Sequence, residues 1–246
     1  MWSTALVLLA VFVGSSMQRV TGMGFALVAA PFLVLLLGPV DGVILVNACA
    51  ALTAAIILGR VLRHVDWRRA GGLALFALAG IVPGALVLRY IPAAWLEISI
   101  GILIVAGLTV SVNLSRVHIR DGHGLRAVAG VASGFMNATA GIGGPAVSIY
   151  ALATNWPHRS FVATMQPYFL VIGVASLGAK FASGSTIPAL PGWVWIMIAV
   201  ACVAGLIIGE ILVRVVEPHI ARRLLVIVAY VGAGATIARG IATLVG

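Results

Sequence analysis

The sequence predicts an all-α polytopic membrane protein made of two inverted repeats, each a broken or re-entrant helical hairpin plus three transmembrane helices. Three observations carry that expectation. The chain of 246 residues is 62% apolar and only 9% charged, too little polarity to clothe a soluble core of that size. Continuous apolar runs of spanning length recur from end to end, a pattern of helices rather than of alternating barrel strands. Two polar, glycine-rich interruptions, Met17–Gly24 and Asn137–Pro145, superpose when the chain is slid by 119 residues, which carries Gln18 onto Asn137, Gly22 onto Gly141 and Gly24 onto Gly143. Matching interruptions in two halves of a membrane protein point to a transporter's binding site.

The first element is the run Ser3–Gly38. As one helix it would reach roughly 50 Å, well beyond a hydrocarbon core of about 30 Å. Two short helices meeting at a tip over Gln18–Gly24 fit better, and such backbone is tolerated at depth only when buried in protein or facing a wet cavity. Met1–Val13 is apolar with no basic residue before it, unlike a secretory signal, and reads as the first half of this element. Span A follows at residues 43–59 with Asn47 inside it, then the four-arginine loop Arg60–Arg69, span B at 70–88 with Pro83, and span C at 94–112. The second half repeats the order. A broken run at 125–154 is followed by span D at 161–183, where Gln166 corresponds to Asn47, span E at 192–213 and span F at 220–241. In spans B and E, Ala79-Gly80-x-x-x-Gly84 lies on Ala204-Gly205-x-x-x-Gly209. A two-fold internal repeat accounts for these coincidences. It divides the chain into a first repeat at 1–112, a linker at 113–124 and a second repeat at 125–246.

The net charge of +9 does not signal nucleic acid, because the arginines sit in short loops between spans, where topology accounts for them. If each broken run returns to its starting side, the loops bearing Arg60–Arg69, Arg116, Arg120 and Arg126, Arg159, and Arg214, Arg222 and Arg223 all fall inside, leaving Arg89, Lys180 and Arg239 outside. The positive-inside rule prefers this arrangement, and both termini then lie outside. Cys49 and Cys202 both lie in apolar spans without a C-x-x-C spacing and read as buried, inert thiols.

Candidate functional groups cluster at the tips. Gly22, Gly24, Gly141, Gly143 and Gly144 allow close backbone approach to a ligand, and Pro145 suits the first turn of a following helix. Helix N-termini aimed at a midplane cavity form an anion site with few full charges. Arg19 is the sharpest single candidate: an arginine at bilayer depth is expensive, and its planar fork suits a sulfonate, sulfite or carboxylate. Gln18, Thr21, Asn47, Asn137, Thr139 and Gln166 supply neutral hydrogen bonds, either to a ligand or between helices. Ser15, Ser16, Ser133 and Ser148 read as packing residues. Among the acids, Glu210 alone lies well inside a span, with Arg214 four residues on. An i,i+4 ion pair is the plain reading, and a proton-coupling carboxylate its rival. The five histidines, at 64, 118, 123, 158 and 219, lie in loops or at span ends without metal-ligand spacing. With no P-loop lysine and no mid-span Ser–His pairing, the sequence implies no enzyme, no cofactor and no metal.

The motifs Gln18-Arg19-Val20-Thr21-Gly22-Met23-Gly24-Phe25-Ala26-Leu27-Val28-Ala29-Ala30-Pro31 and Gly134-Phe135-Met136-Asn137-Ala138-Thr139-Ala140-Gly141-Ile142-Gly143-Gly144-Pro145 resemble the TauE/SafE family, also called the toluene-sulfonate uptake permease family, and the likeness in length and hydropathy extends over nearly the whole chain. The resemblance implies a multi-pass transporter in a bacterial inner membrane that moves small sulfur-containing anions such as sulfite, sulfoacetate or other organosulfonates, with the motif positions lining the path. Its partners would be that anion and the lipid bilayer; the Ala/Gly-rich faces suit close packing either within the chain or in a homo-oligomer. The runner-up within transport is a channel-like anion pore, which needs no coupling residue and fits the poverty of acids, and a non-transporting assembly scaffold is the reading from a different class.

Overall fold

The computed structural model describes residues 2–113 and 120–245; Arg116 and His118, and the side chain of Arg222, lie outside the described residues. Ten α-helices and one short 3-10 turn make up the described chain: α1 Trp2–Thr21, α2 Gly24–Leu37, α3 Pro39–Val61, α4 Trp67–Tyr90, α5 Ala93–Asn113, α6 His123–Ala140, α7 Gly144–Ala153, α8 His158–Ala182, α9 Gly192–Val215 and α10 Pro218–Val245. The six expected spans correspond to α3, α4, α5, α8, α9 and α10. Seven helices, these six and α1, are long and apolar enough to cross a membrane. On α9, Ile196, Val200, Val203, Ile207 and Ile211 are exposed along one face, the outward apolar stripe of a lipid-facing helix. The chain is a multi-pass membrane protein.

Both broken runs are antiparallel helix pairs. In the first, a Cβ at Gly14 would lie 3.0 Å from Ala29 Cβ and 3.1 Å from Phe25 Cδ2, so α1 and α2 touch face to face. In the second, Tyr150 at the end of α7 donates its hydroxyl to Asp121 at 2.7 Å, and Arg126 at the start of α6 donates Nε to the same carboxylate at 2.9 Å. The end of α7 therefore lies beside the start of α6. The breaks are narrower than expected and sit later in the sequence. Gln18, Arg19 and Thr21 belong to the last turn of α1, and Asn137 and Thr139 to the last turn of α6. Polar side chains do not end a helix when they find partners, and the Thr21 hydroxyl returns to Met17 O at 2.8 Å. The turn comes at Gly22 and Gly141, both left-handed (φ +84° and +75°), where a side chain would be strained. Consequently α1 has 20 residues, about 30 Å of helix, rather than being a short half.

The helices pack in a matching pattern across the two halves: α4 on α6, α9 on α1, α3 on α8 and α5 on α10. The repeated glycines make the first two contacts. A Cβ at Gly80 would fall 2.0 Å from Val131 O on α6, and one at Gly205 would fall 2.4 Å from Phe12 O on α1. Small residues bring backbones together where lipid supplies no hydrophobic drive. Cys49 of α3 and Cys202 of α9 are buried and free.

Candidate functional site

The two breaks meet around a small cavity of about 20 Å³. Three pairs related by the 119-residue offset line it: Gln18 with Asn137, Met23 with Ile142, and Ala50 with Phe169. Gly141, Gly143, Gly144, Ala26, Leu27 and Gly173 complete the wall. The first turns of α2 and α7 thus reach the cavity, and their unpaired N–H groups carry partial positive charge. Such a volume holds about one water molecule. A four-heavy-atom oxyanion requires it to widen.

Buried amides tie the two breaks together by exchange. Asn47 Nδ2 of the first half donates to Asn137 O in the second at 3.4 Å. Gln166 Nε2 of the second half donates to Gly22 O in the first at 3.1 Å, and to Val162 O at 2.9 Å. Asn137 Nδ2 donates to Ser176 Oγ at 2.9 Å and to Ile172 O at 3.3 Å. Three polar atoms of this set are buried without a hydrogen-bond partner among the described residues: Gln18 Nε2, Asn47 Oδ1 and Gln166 Oε1. Leaving such a group unpaired costs about 1–3 kcal/mol, so these atoms mark where water or a ligand belongs. Gln18 both lines the cavity and carries an unpaired donor.

The remaining predicted residues stand apart from the cavity wall. Thr21 lines a larger space described below. Gly22 supplies a carbonyl to Gln166. Gly24 is enclosed by Thr21, Leu225 and Met17. Thr139 returns its hydroxyl to Phe135 O. Arg19 lines neither space and is engaged by Glu210, its Nε 2.6 Å from Oε2. Arg60 at 3.6 Å and Arg214 at 3.9 Å share that carboxylate. Glu210 therefore bonds chiefly across helices to Arg19, with the i,i+4 partner a more distant contributor. Among the other acids, Glu97, near the start of α5, is buried and pairs with Arg239 at 3.6 Å.

A second space of about 560 Å³ adjoins the cavity, lined by Thr21, Ser148, His158, His219 and apolar side chains including Trp156 and Phe161. Met23 and Leu27 border both spaces. Met23 Sδ accepts a hydrogen bond from the Ser148 hydroxyl at 3.1 Å, and Gly144 leaves room beside it, since a Cβ there would sit 3.4 Å from the sulfur. Met23 thus stands between vestibule and cavity. A methionine in a glycine-rich break gives no sequence signal of that role. Ser133 also exceeds its packing assignment: it donates to Gly143 O at 2.8 Å and accepts from the Tyr168 hydroxyl at 2.7 Å, which braces the second break.

Beside Trp156 of the vestibule wall, Asp121 gathers Arg126, Tyr150 and Arg69, the last at 3.4 Å. Arg69 also lies over the Trp156 ring at 4.6 Å. The Arg126 guanidinium, above all, holds the Asp121 carboxyl below the usual aspartate range. No group of three or more potential metal ligands occurs among the described residues.

Comparison with known proteins accords with this architecture. The curated protein described as "Probable sulfite/organosulfonate exporter TauE" of Cupriavidus necator is 31% identical over 138 residues, a stretch covering 54% of each chain. The chain thus spans about half the length of that relative in the match. No solved structure matches. The family described as "Sulfite exporter TauE/SafE" matches residues 6–236, and its description, like the relative's, is of transport rather than catalysis. Paired glycine breaks, seven helices of spanning character and a family match over nearly the whole chain agree, and the chain belongs to the TauE/SafE family.

Proposed function

We propose that the chain is a secondary transporter that exports small sulfur-containing anions, such as sulfite, sulfoacetate or other organosulfonates, across a bacterial inner membrane. In this reading, residues 1–112 and 125–246 form inverted repeats joined by the linker 113–124. The anion binds between the two breaks. Gln18, Asn137 and the backbone at Gly141, Gly143 and Gly144 contact it, while Asn47 and Gln166 fix the breaks relative to each other. Arg19 secures α1 to α9 through Glu210. The vestibule, flanked by His158 and the arginine-rich helix ends, lies on the cytoplasmic side by the positive-inside rule. Rocking of the repeats moves Met23 aside and widens the cavity.

The observation that carries the reading is the unpaired Gln18 Nε2 in a cavity reached by the first turns of α2 and α7. Hydrogen-bond donors and partial positive charge without a full counter-charge suit a weakly held, readily released anion. The closure at Met23 favours alternating access over a channel-like pore. The test is anion-dependent thermal stabilisation of purified protein with sulfite, sulfoacetate, taurine, thiosulfate, sulfate and lactate, with Gln18→Leu alongside. An anion at about 100 times its Kd stabilises the native state by roughly 2.7 kcal/mol if it binds that state alone. A sulfur anion that stabilises the wild type and not a folded Gln18→Leu supports the site. Equal stabilisation of both refutes the site, and no response to any anion, with no flux in liposomes, refutes the function.

A further inference from the structure

One helix accompanies the whole proposed path. On α8, Gln166, Phe169, Gly173, Ser176 and Lys180 follow at intervals of three, four, three and four residues, a single helical face. The first four are engaged at the site already described: Gln166 holds Gly22, Phe169 and Gly173 line the cavity, and Ser176 receives Asn137. At the start of α8, His158 borders the vestibule. Lys180 ends the stripe, one turn beyond Ser176 and about 10 Å along the axis from Gly173, on the side away from the vestibule.

Lys180 is 0% exposed, and its Nζ has neither a hydrogen bond nor an ion pair among the described residues. Its place near a helix end would ordinarily let a lysine extend its ammonium to the membrane surface, and the sequence reads it as an outward charge. Here it is held inside instead. The helix end gives no reason for this, since the Ser183 hydroxyl and Ser185 N–H bond only the Lys180 carbonyl. An ammonium kept unpaired at depth is costly unless an anion visits it. Arg19, the other cation near the breaks, is already paired with Glu210.

We infer that Lys180 is a second anion-contact point, receiving the sulfite or sulfonate group after it leaves the cavity between the breaks and passing it toward the face opposite the vestibule. This rests on the sulfur-anion reading above. The test measures flux of radiolabelled sulfite and of sulfoacetate in proteoliposomes, with the melting temperature of each variant. Lys180→Met should lower the initial rate about tenfold or more with an equal or higher melting temperature, while Lys180→Arg should retain at least about one third of the wild-type rate. Wild-type protein that moves neither anion overturns the function and this inference together. Wild-type flux with Lys180→Met within about twofold of it overturns the inference alone. The inference also falls if folded Lys180→Arg is as inactive as Lys180→Met, because charge is then not the property used. If Lys180→Met is not recovered folded, Lys180→Gln takes its place. A lower melting temperature with unchanged flux per folded molecule would then identify Lys180 as a packing residue and overturn the inference.

Discussion

Substituting Gly141 by alanine tests the geometry of the second break directly. Its backbone is left-handed at φ +75°, and a Cβ there would lie 2.7 Å from Val46 Cγ1. The conformation costs an L-residue roughly 1–2 kcal/mol. The contact is closer than real Cβ atoms tolerate, and Val46 is fully buried, so displacing it adds about 1–3 kcal/mol of overpacking. Gly141→Ala should therefore destabilise by roughly 2–5 kcal/mol. The two contributions are separable. Val46→Ala removes the closest atom the new methyl meets, Cγ1, and leaves Cβ at 3.2 Å, so the double variant should show a favourable coupling of about 1–2 kcal/mol, with the backbone strain remaining. The assay is denaturant unfolding in detergent micelles followed by tryptophan fluorescence. Gly178→Ala is the control: nothing lies within 4 Å of a Cβ there, and replacing a helical glycine should gain about 0.5–1 kcal/mol. A Gly141→Ala protein as stable as wild type would refute the left-handed turn, and a loss of stability that does not couple to Val46 would refute its packing against α3.

Three further outcomes are expected. Arg19→Met should lower stability by about 0.5–1 kcal/mol, the scale of a partly exposed ion pair, and change sulfite affinity less than about threefold; abolished binding in folded protein would return Arg19 to the site. Met23→Ala should speed entry from the vestibule side, read as faster labelling of an Ile142→Cys reporter by a water-soluble thiol reagent; unchanged labelling would remove Met23 from the passage. Asp121→Asn should cost about 1–3 kcal/mol near neutral pH, since it breaks a charged network. Because the folded carboxyl titrates below its ordinary value, its contribution is full above about pH 4 and fades as pH falls through the lowered value. The gap between wild type and variant should close in acid, and a gap that widened there would reverse the assigned sign.

The spans and the two turns were legible because each has a local cause. Apolar length specifies α3, α4, α5, α8, α9 and α10, and the glycines at 22 and 141 provide backbone that accepts a left-handed turn. The glycines at 80 and 205 were legible as a repeat, and the packing explains them as matching close approaches. What escaped is non-local. Glu210 lies 191 residues from Arg19, so sequence spacing shows only the weaker i,i+4 partner, Arg214. Lys180 reads as a charge at the outer end of span D until neighbouring helices enclose it. Polar character was also over-read: Gln18, Arg19, Asn137 and Thr139 remain helical, because a polar side chain does not by itself break the backbone ladder; the chain turns only at the left-handed Gly22 and Gly141.

On the proposed function, the arrangement of charge would let one cavity both take up an anion and let it go. Each break sets the C-terminal end of one helix, α1 or α6, against the N-terminal end of the next, α2 or α7. The partial charges at these ends oppose one another, so the field at the cavity is that of adjacent dipoles rather than of a free cation. Had Arg19 faced the cavity unpaired, a full charge in a poorly solvated space would hold an oxyanion strongly and slow its release. Glu210 draws that charge aside and uses it to fasten α1 to α9. What remains at the cavity is the unpaired amide of Gln18 and the free N–H groups of two helix starts. Their strength depends on how closely the breaks approach, so the rocking proposed to open the cavity would also weaken its hold on the proposed anion.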